Sequence, residues 1–312
     1  MGHQMIKIIK EICYEENIQF ASYSDEYILR LEANNRVMFI YGNKFPNNDA
    51  GAEQICNDKS ALSDILNYYN IPHVIHTFFN SPLRQEYYPE NGIWDKLSQM
   101  LKKHHGLVCK TNNGTGGNNV YRVTNQKELE HSILTIFKSS NSLAVSPLLN
   151  ITNEYRVVMV GGDFQYAFRK VRPYIIGDGQ KTILELSSDY NIKEFSELPE
   201  NMHMNTVLPK GQRIELTWKH NLGQGALPEL VIDNELKAKL SAISQKCVEA
   251  LNLGFVSIDI VEVENELSVL EINSGVMIEN FSKFSEENYL LSKCAVRNAI
   301  KNYLHLDLSI NP

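Results

Sequence analysis

The sequence predicts an α+β fold with mainly antiparallel sheets, and three observations carry that expectation. Residues 255–261 and 267–273 are two apolar, β-branched runs joined by a polar turn at Glu264-Asn265, the pattern of a β-hairpin in a buried sheet. Residues 153–161 and 163–171 form a second such pair around Gly161-Gly162, a strong hairpin signal because both turn positions ask for positive φ. Helical spacing appears in separate blocks, most clearly over 234–252, where Leu236, Leu240, Ile243, Cys247, Ala250 and Leu251 share one face.

In chain order, residues 4–17 predict a short amphipathic helix, with Ile6, Ile9, Ile12 and Cys13 on its apolar stripe. Strands over 26–31 and 36–41 flank an Asn34-Asn35 turn. The Gly- and Pro-bearing stretch 41–52 is a loop and marks a boundary after a small N-terminal segment. Asn57 or Asp58 caps the next helix, whose apolar face is Leu62, Ile65, Leu66 and Tyr69. Residues 73–79 read as a strand. His73 and His76 are three apart on it and so fall on opposite faces, which argues against a shared metal. A loop over 82–91 and a helix over 94–104 follow. Strands at 107–110 and 120–123 bracket the glycine-rich loop 111–119, with Lys110 at the end of the first. A helix over 124–139 and a strand or linker over 143–149 lead to the glycine hairpin. There Phe164, Tyr166 and Phe168 alternate with Gln165, Ala167 and Arg169, giving one packed face and one facing a site or solvent. A short helix over 182–187, an irregular polar stretch over 190–212 and a strand over 213–218 precede a second glycine-rich loop, 219–226. A helix over 287–303 closes the fold.

Composition narrows the function classes. The 312 residues carry a formal net charge of −7, and with no long basic run this argues against nucleic acid as the main partner. No run of apolar residues is long enough for a transmembrane helix. Lys7, Lys10, Glu11, Glu15 and Glu16 interrupt any signal-peptide core. The five cysteines are odd in number and scattered. They predict reduced thiols in a cytoplasmic protein, neither a disulfide framework nor a zinc site.

The chemistry concentrates in the last hairpin. Glu271 and Asn273 are two apart, so on a strand they share a face, and Asp259 on the partner run can sit opposite them. Acids inside apolar strands are costly unless paired or metal-bound. Three oxygen ligands on one sheet face suit Mg²⁺; a structural pairing with Lys or Arg is the other reading. The loop 111–119 joins two strands, unlike a P-loop or a G-x-G-x-x-G turn, each of which opens a helix. It is either a flap whose backbone N–H groups approach phosphates or a plain hairpin loop.

A strand-end lysine, a glycine flap, a hairpin with an acid followed by an arginine, a Lys/Asn/Gly loop and an Asp…Glu-x-Asn hairpin come in that order. The order resembles the ATP-grasp superfamily over residues 55–305. Within it, the chain is similar to the branch containing the ribosomal-protein glutamate ligases, cyanophycin synthetase and bifunctional glutathione synthetases. Asn153-Glu154-Tyr155-Arg156 looks like that branch's Asp-Tyr-Arg strand, Gly177-Asp178-Gly179 its Gly-Asp-Gly segment, and Glu271-Ile272-Asn273 its metal strand. The resemblance implies two α/β lobes clamping ATP (56–145 and 146–312) behind a small N-terminal domain (1–55).

It also implies roles. Lys59, Lys110, Gly114, Thr115, Gly116, Gly117 and Glu154 would bind ATP, with backbone groups of Leu148 and Leu149 at the base. Asp259, Glu271 and Asn273 would hold one or two Mg²⁺, or Mn²⁺. Arg169, Lys219 and Asn221 would stabilise the transferring phosphoryl group, and His220, Ser274 and Gly275 would line the acceptor pocket. The chain departs from the pattern at Pro147, where an acid is usual, at Lys219, where an arginine is usual, and at Ser274-Gly275-Val276, where a Pro-Gly turn is usual. The implied activity is an ATP-dependent carboxylate–amine ligase joining a small carboxylate, an amino acid or peptide, to an amine. The alternatives are an ATP-grasp phosphotransferase and a non-catalytic nucleotide-binding module. Related enzymes suggest a homo-oligomer.

Overall fold

A computed structural model describes residues 2–82, 92–114, 116–188, 190, 195–199 and 202–306. Thr115 and all of the expected loop 82–91 except Pro82 lie outside the described residues.

The chain opens with helix α1 (His3–Glu15) and an antiparallel meander, β1 (Gln19–Tyr23), β2 (Ile28–Ala33) and β3 (Arg36–Tyr41). β1 had no sequence signal, since its QFASY run is half polar and mostly exposed. Helices α2 (Ala50–Asn57) and α3 (Lys59–Tyr68) follow, where one helix was expected. Asp58 divides them. Its extended backbone ends α2, and its carboxylate accepts from the Ala61 N–H at 2.8 Å to cap α3. Asp58→Ala is expected to lower stability by about 1 kcal/mol, read as a shifted urea midpoint with an unchanged slope.

Next come β4 (Thr77–Asn80), α4 (Ile93–His104), β5 (Leu107–Thr111), β6 (Val120–Val123), α5 (Gln126–Ser139) and β7 (Ser142–Pro147). The four strands form an antiparallel sheet in the order β4-β7-β5-β6. One face carries Phe79, Leu107, Cys109, Leu143 and Val145 and packs on α4 and α5. The other carries Lys110 and Phe78, which both oppose Ala144 across the ladder.

The remainder is β8 (Asn153–Val160), β9 (Asp163–Val171), β10 (Tyr174–Ile176), α6 (Ile183–Ser187), β11 (Arg213–Glu215), β12 (Leu227–Leu230), α7 (Asn234–Leu251), β13 (Phe255–Val263), β14 (Glu266–Asn273), α8 (Glu279–Ser282) and α9 (Glu286–Leu304). Five of these strands form an antiparallel sheet, β12-β9-β8-β13-β14. Tyr155, Val157, Ala167, Ile258 and Ile260 pack one face onto α7. Val158, Val160, Tyr166, Phe168 and Phe255 pack the other onto α1, α8 and α9. Phe281 of α8 stacks on Phe168 with ring centroids 4.5 Å apart. The inner residues of β2 and β3, Leu29, Leu31, Met38 and Ile40, join this same core. Asn48 fastens the segment by accepting from Gly254 and Phe255 N–H groups and donating to the Phe255 carbonyl.

A β-bulge between Val158 and Met159 shifts the β8–β9 register. It breaks the expected alternation. Phe164 packs on the α7 side, whereas Tyr166 and Phe168 lie on the α9 side. One extra residue in β9 exchanges the faces of everything beyond it. No helix among the described residues is long and apolar enough to cross a membrane.

Candidate active site

The α9-side face of the five-stranded sheet turns polar beyond Phe168, and a chain of charges lies there. Asp259 stands opposite Glu271 on β14 and opposite Arg156 on β8. The Asp259 carboxylate, almost fully buried, accepts from Arg156 Nε and Nη2, both at 2.7 Å, and lies 2.9 Å from Lys170 Nζ. Lys170 also donates to Glu154 Oε1 at 2.6 Å. His220 Nδ1 lies 3.4 Å from the other Glu154 oxygen, and its Nε2 accepts from Arg172 Nε at 3.1 Å. Burial, then Arg172 and Lys170, push the imidazole down to about 3. His220 is therefore neutral at pH 7, and since its Nε2 accepts, its proton sits on Nδ1 and points at Glu154.

The two acids titrate in opposite directions. Burial alone would raise the Asp259 carboxyl, but Arg156 and then Lys170 outweigh it and hold the group well below the usual carboxylate range. Glu154 is raised: burial dominates, and Asp259 adds to it against the pull of Lys170.

Lys59 of α3 and Lys110 of β5 stand close enough to this surface for Glu271 to act on both. Lys59 Nζ donates to the carbonyls of Asn112 (3.2 Å) and Gly114 (2.7 Å), pinning the base of the glycine loop. Burial lowers both lysines, Lys110 to about 8, and Glu271 is the foremost charge opposing that shift in each. Four cations, Arg156, Lys170, Lys59 and Lys110, thus meet three carboxylates, one of them driven toward its neutral form. The surplus is positive and suits a polyphosphate.

The loop itself needs its glycines. Gly116 and Gly117 have φ of 70° and 69°, and a Cβ on Gly117 would fall 2.9 Å from Asn221 Nδ2. Asn221 Nδ2 donates to the Gly116 carbonyl at 3.0 Å while its Oδ1 accepts from Gly223 N–H. The two glycine-rich loops therefore touch through one side chain. Asn221→Ala is expected to lower stability by about 1 kcal/mol, read as a shifted urea midpoint, since the bond to the Gly116 carbonyl and the cap on the Gly223 N–H are both lost.

Other expected site residues lie as follows. Arg169 sits on the α7 side, with Glu229 at 2.5 Å and Asn153 at 3.1 Å. Lys219 Nζ lies over the Trp218 ring at 5.9 Å. The Leu148 N–H is committed to the Gly106 carbonyl, and the Leu149 carbonyl accepts from Ile151. Ser274, buried, accepts from Lys44 Nζ of the N-terminal segment, and Gly275 bridges Lys44 through the backbone. Sequence reasoning did not single out Arg156 or Lys170 as site cations. A straight hairpin closed at Gly161-Gly162 sets Arg169 opposite Glu154; the bulge brings Lys170 there instead.

As for a metal, no group of three or more His, Cys, Asp or Glu among the described residues is arranged to hold one. Glu271 and Asn273 are half-buried, and only a long contact of 3.4 Å joins their side chains. Their oxygens fit a hard cation such as Mg²⁺. Asp259 is already bound on both oxygens by Arg156 and Lys170.

No family model matches the chain. It is 35% identical over 140 residues to the tetrahydromethanopterin:alpha-L-glutamate ligase of Methanocaldococcus jannaschii, spanning 41% of this chain and 46% of that protein. The chain thus spans about half the length of the curated relative it matches. Among solved structures, a bifunctional glutathione synthetase from Pasteurella multocida superposes with a TM-score of 0.59 at 14% identity, covering 95% of this chain and 43% of that one. The D-alanyl-alanine synthetase A of Vibrio cholerae gives 0.57 at 13% identity, over 96% and 92%. The D-alanine–D-alanine ligase of Bacillus anthracis gives 0.54 at 16% identity, over 82% and 69%. With antiparallel sheets packed by helices, and these likenesses, the chain has the ATP-grasp fold.

Proposed function

We propose that the chain is an ATP-dependent carboxylate–amine ligase that activates a small carboxylate as an acyl phosphate and passes the acyl group to an amine. The observation that carries this reading is the opposition of Lys59, Lys110 and the glycine loop to Glu271, Asn273 and the Lys170–Glu154–Asp259–Arg156 chain. A carboxylate oxygen of the substrate attacks the γ-phosphorus of ATP, the bond to the bridging oxygen breaks, and ADP leaves. The amine nitrogen then attacks the acyl carbon, the carbon–oxygen bond to phosphate breaks, and a proton leaves the nitrogen. Positioning and fixed cations do most of the work in such a transfer.

In this reading Lys59 and Lys110 hold phosphate oxygens, and Lys170, kept in place by Glu154 and Asp259, faces the transferring group where Arg169 was expected. Glu271 and Asn273 would hold Mg²⁺, which when bound neutralises phosphate charge. The Asn221–Gly116 contact keeps the flap down and water out, protecting the acyl phosphate from hydrolysis. No Ser, Cys or His nucleophile is required. Ser274, Gly275 and Lys44 border the acceptor side, with Lys44 held there by Ser274 and Glu53.

The test is release of ADP and free phosphate from Mg-ATP with pooled amino acids, short peptides and small carboxylic acids. L-glutamate comes first, because it is named in the relative's activity. A product mass equal to two reactants minus water supports the ligase. ADP without phosphate, with an acceptor heavier by one phosphoryl group, replaces it with a phosphotransferase.

A further inference from the structure

His76 is a buried side chain that the mechanism above does not use. It directly precedes β4, and by alternation it falls on the face bearing Phe78, the face that also carries Lys110. Its backbone N–H is tied to Ser63 Oγ of α3 at 3.2 Å. The ring is 5% exposed and leans on the Val74 carbonyl, and its Nε2 is buried with no hydrogen-bond partner. Leaving a buried polar nitrogen unmatched costs about 1–3 kcal/mol. A polar atom left so beside two lysines points to a ligand that satisfies it.

The charged and titratable groups around the ring are Lys110 from β5, Lys59 from α3 and His73 from its own segment, and Glu271 of β14 faces both lysines. None of those bearing directly on the ring is an acid. We propose that His76 is a phosphate-binding residue of the nucleotide site, its Nε2 taking up a proton from solvent and donating it to a phosphate oxygen held between Lys59 and Lys110. Without an anion, burial, then Lys110, Lys59 and His73, hold the imidazole down at about 2, so the ring begins neutral. A triphosphate between the lysines reverses the sign of the field at Nε2, and a charge-assisted bond to an oxyanion offsets the burial. The proposal rests on the nucleotide-binding part of the ligase reading and not on the identity of its substrates.

The experiment is calorimetric titration of the full chain with ATP and Mg²⁺, with ADP, and with adenosine. Each is run at pH 7 in two buffers of different ionisation enthalpy. The wild-type protein is expected to take up about one proton on binding ATP. His76→Gln is expected to bind ATP about ten- to a hundredfold more weakly, without the uptake, and adenosine as the wild type does. His76→Phe tests for a merely structural role. Its ligand-free melting temperature is expected to match or exceed the wild-type value, because the unmatched nitrogen is gone, while its ATP-induced shift falls. A His76→Gln variant that binds ATP like the wild type, or loses adenosine and ATP equally, overturns the proposal. A wild-type protein that binds no nucleotide at all overturns the nucleotide reading along with it.

Discussion

Glu271→Gln is expected to cut substrate-dependent ADP formation by about a thousandfold while the protein stays folded. Glu271 is half-buried, and its side-chain hydrogen bond, a long one from Asn273, is within reach of an amide as well. The substitution therefore removes little packing. What it removes is the carboxylate that most strongly opposes the lowering of Lys59 and Lys110 and that fits a divalent cation beside Asn273. Both losses act where the proposed reaction would handle phosphoryl charge, so they are expected in the chemical step and not in the melt. ADP release at the wild-type rate, from a variant with a wild-type melting curve, would remove Glu271 from the site.

Arg156→Leu is expected to act the other way, on stability first. It leaves the Asp259 carboxylate buried with Lys170 as its remaining cation and lowers the unfolding free energy by about 3 kcal/mol. The pH dependence follows from Asp259. Its folded-state pKa lies below the unfolded value, so its contribution is complete above the ordinary carboxylate pKa of about 4 and drains away as pH falls below it. Glu154 is raised and works oppositely: its contribution is present below the ordinary value and is lost as pH rises through the folded one. Without Arg156 the depression of Asp259 shrinks. The gap between wild type and variant, measured by urea unfolding, should therefore narrow between pH 7 and pH ~3. A gap independent of pH would mean that the pair is not its source.

How far the sequence reaches is clear from single residues. Glu271 and Asn273 were legible as one face because two-residue alternation holds over 271–273, but a straight hairpin closed at Glu264-Asn265 sets Leu270 opposite Asp259, and only the register shift between Asp259 and Ile260 brings Glu271 there. Gly161-Gly162 likewise announced its hairpin, both residues adopting positive φ. The bulge at Val158/Met159 had no composition signal, so which of Arg169 and Lys170 meets Glu154 was unreadable. Arg156 was visible as part of a motif, but its partner was not, because pairing across β8 and β13 is a long-range property. His76 looked like one member of an unremarkable pair. Its unmatched nitrogen exists only once α3, β5 and the segment before β4 close around it. α2 was hidden because a loop rich in Gly, Pro and Asn runs straight into it.

The pairing of α1 with α9 bears on how the chain is made. Glu11 and Glu15 on α1 meet Lys293 on α9, and for Glu11 the two partners stand 282 residues apart. Ile8, Ile9 and Ile12 are buried in a core completed by Val296 and Ile300. At a synthesis rate of about 5–20 residues per second, the α1 stripe emerges from the ribosome on the order of tens of seconds before its partner exists. Throughout that interval only the adjoining β2 and β3 residues, such as Leu31 and Met38, are available to cover that isoleucine-rich stripe. The four-stranded sheet with α4 and α5, whose contacts are more local, can already be folded by then. The last helix is therefore the step that completes the cover over this surface.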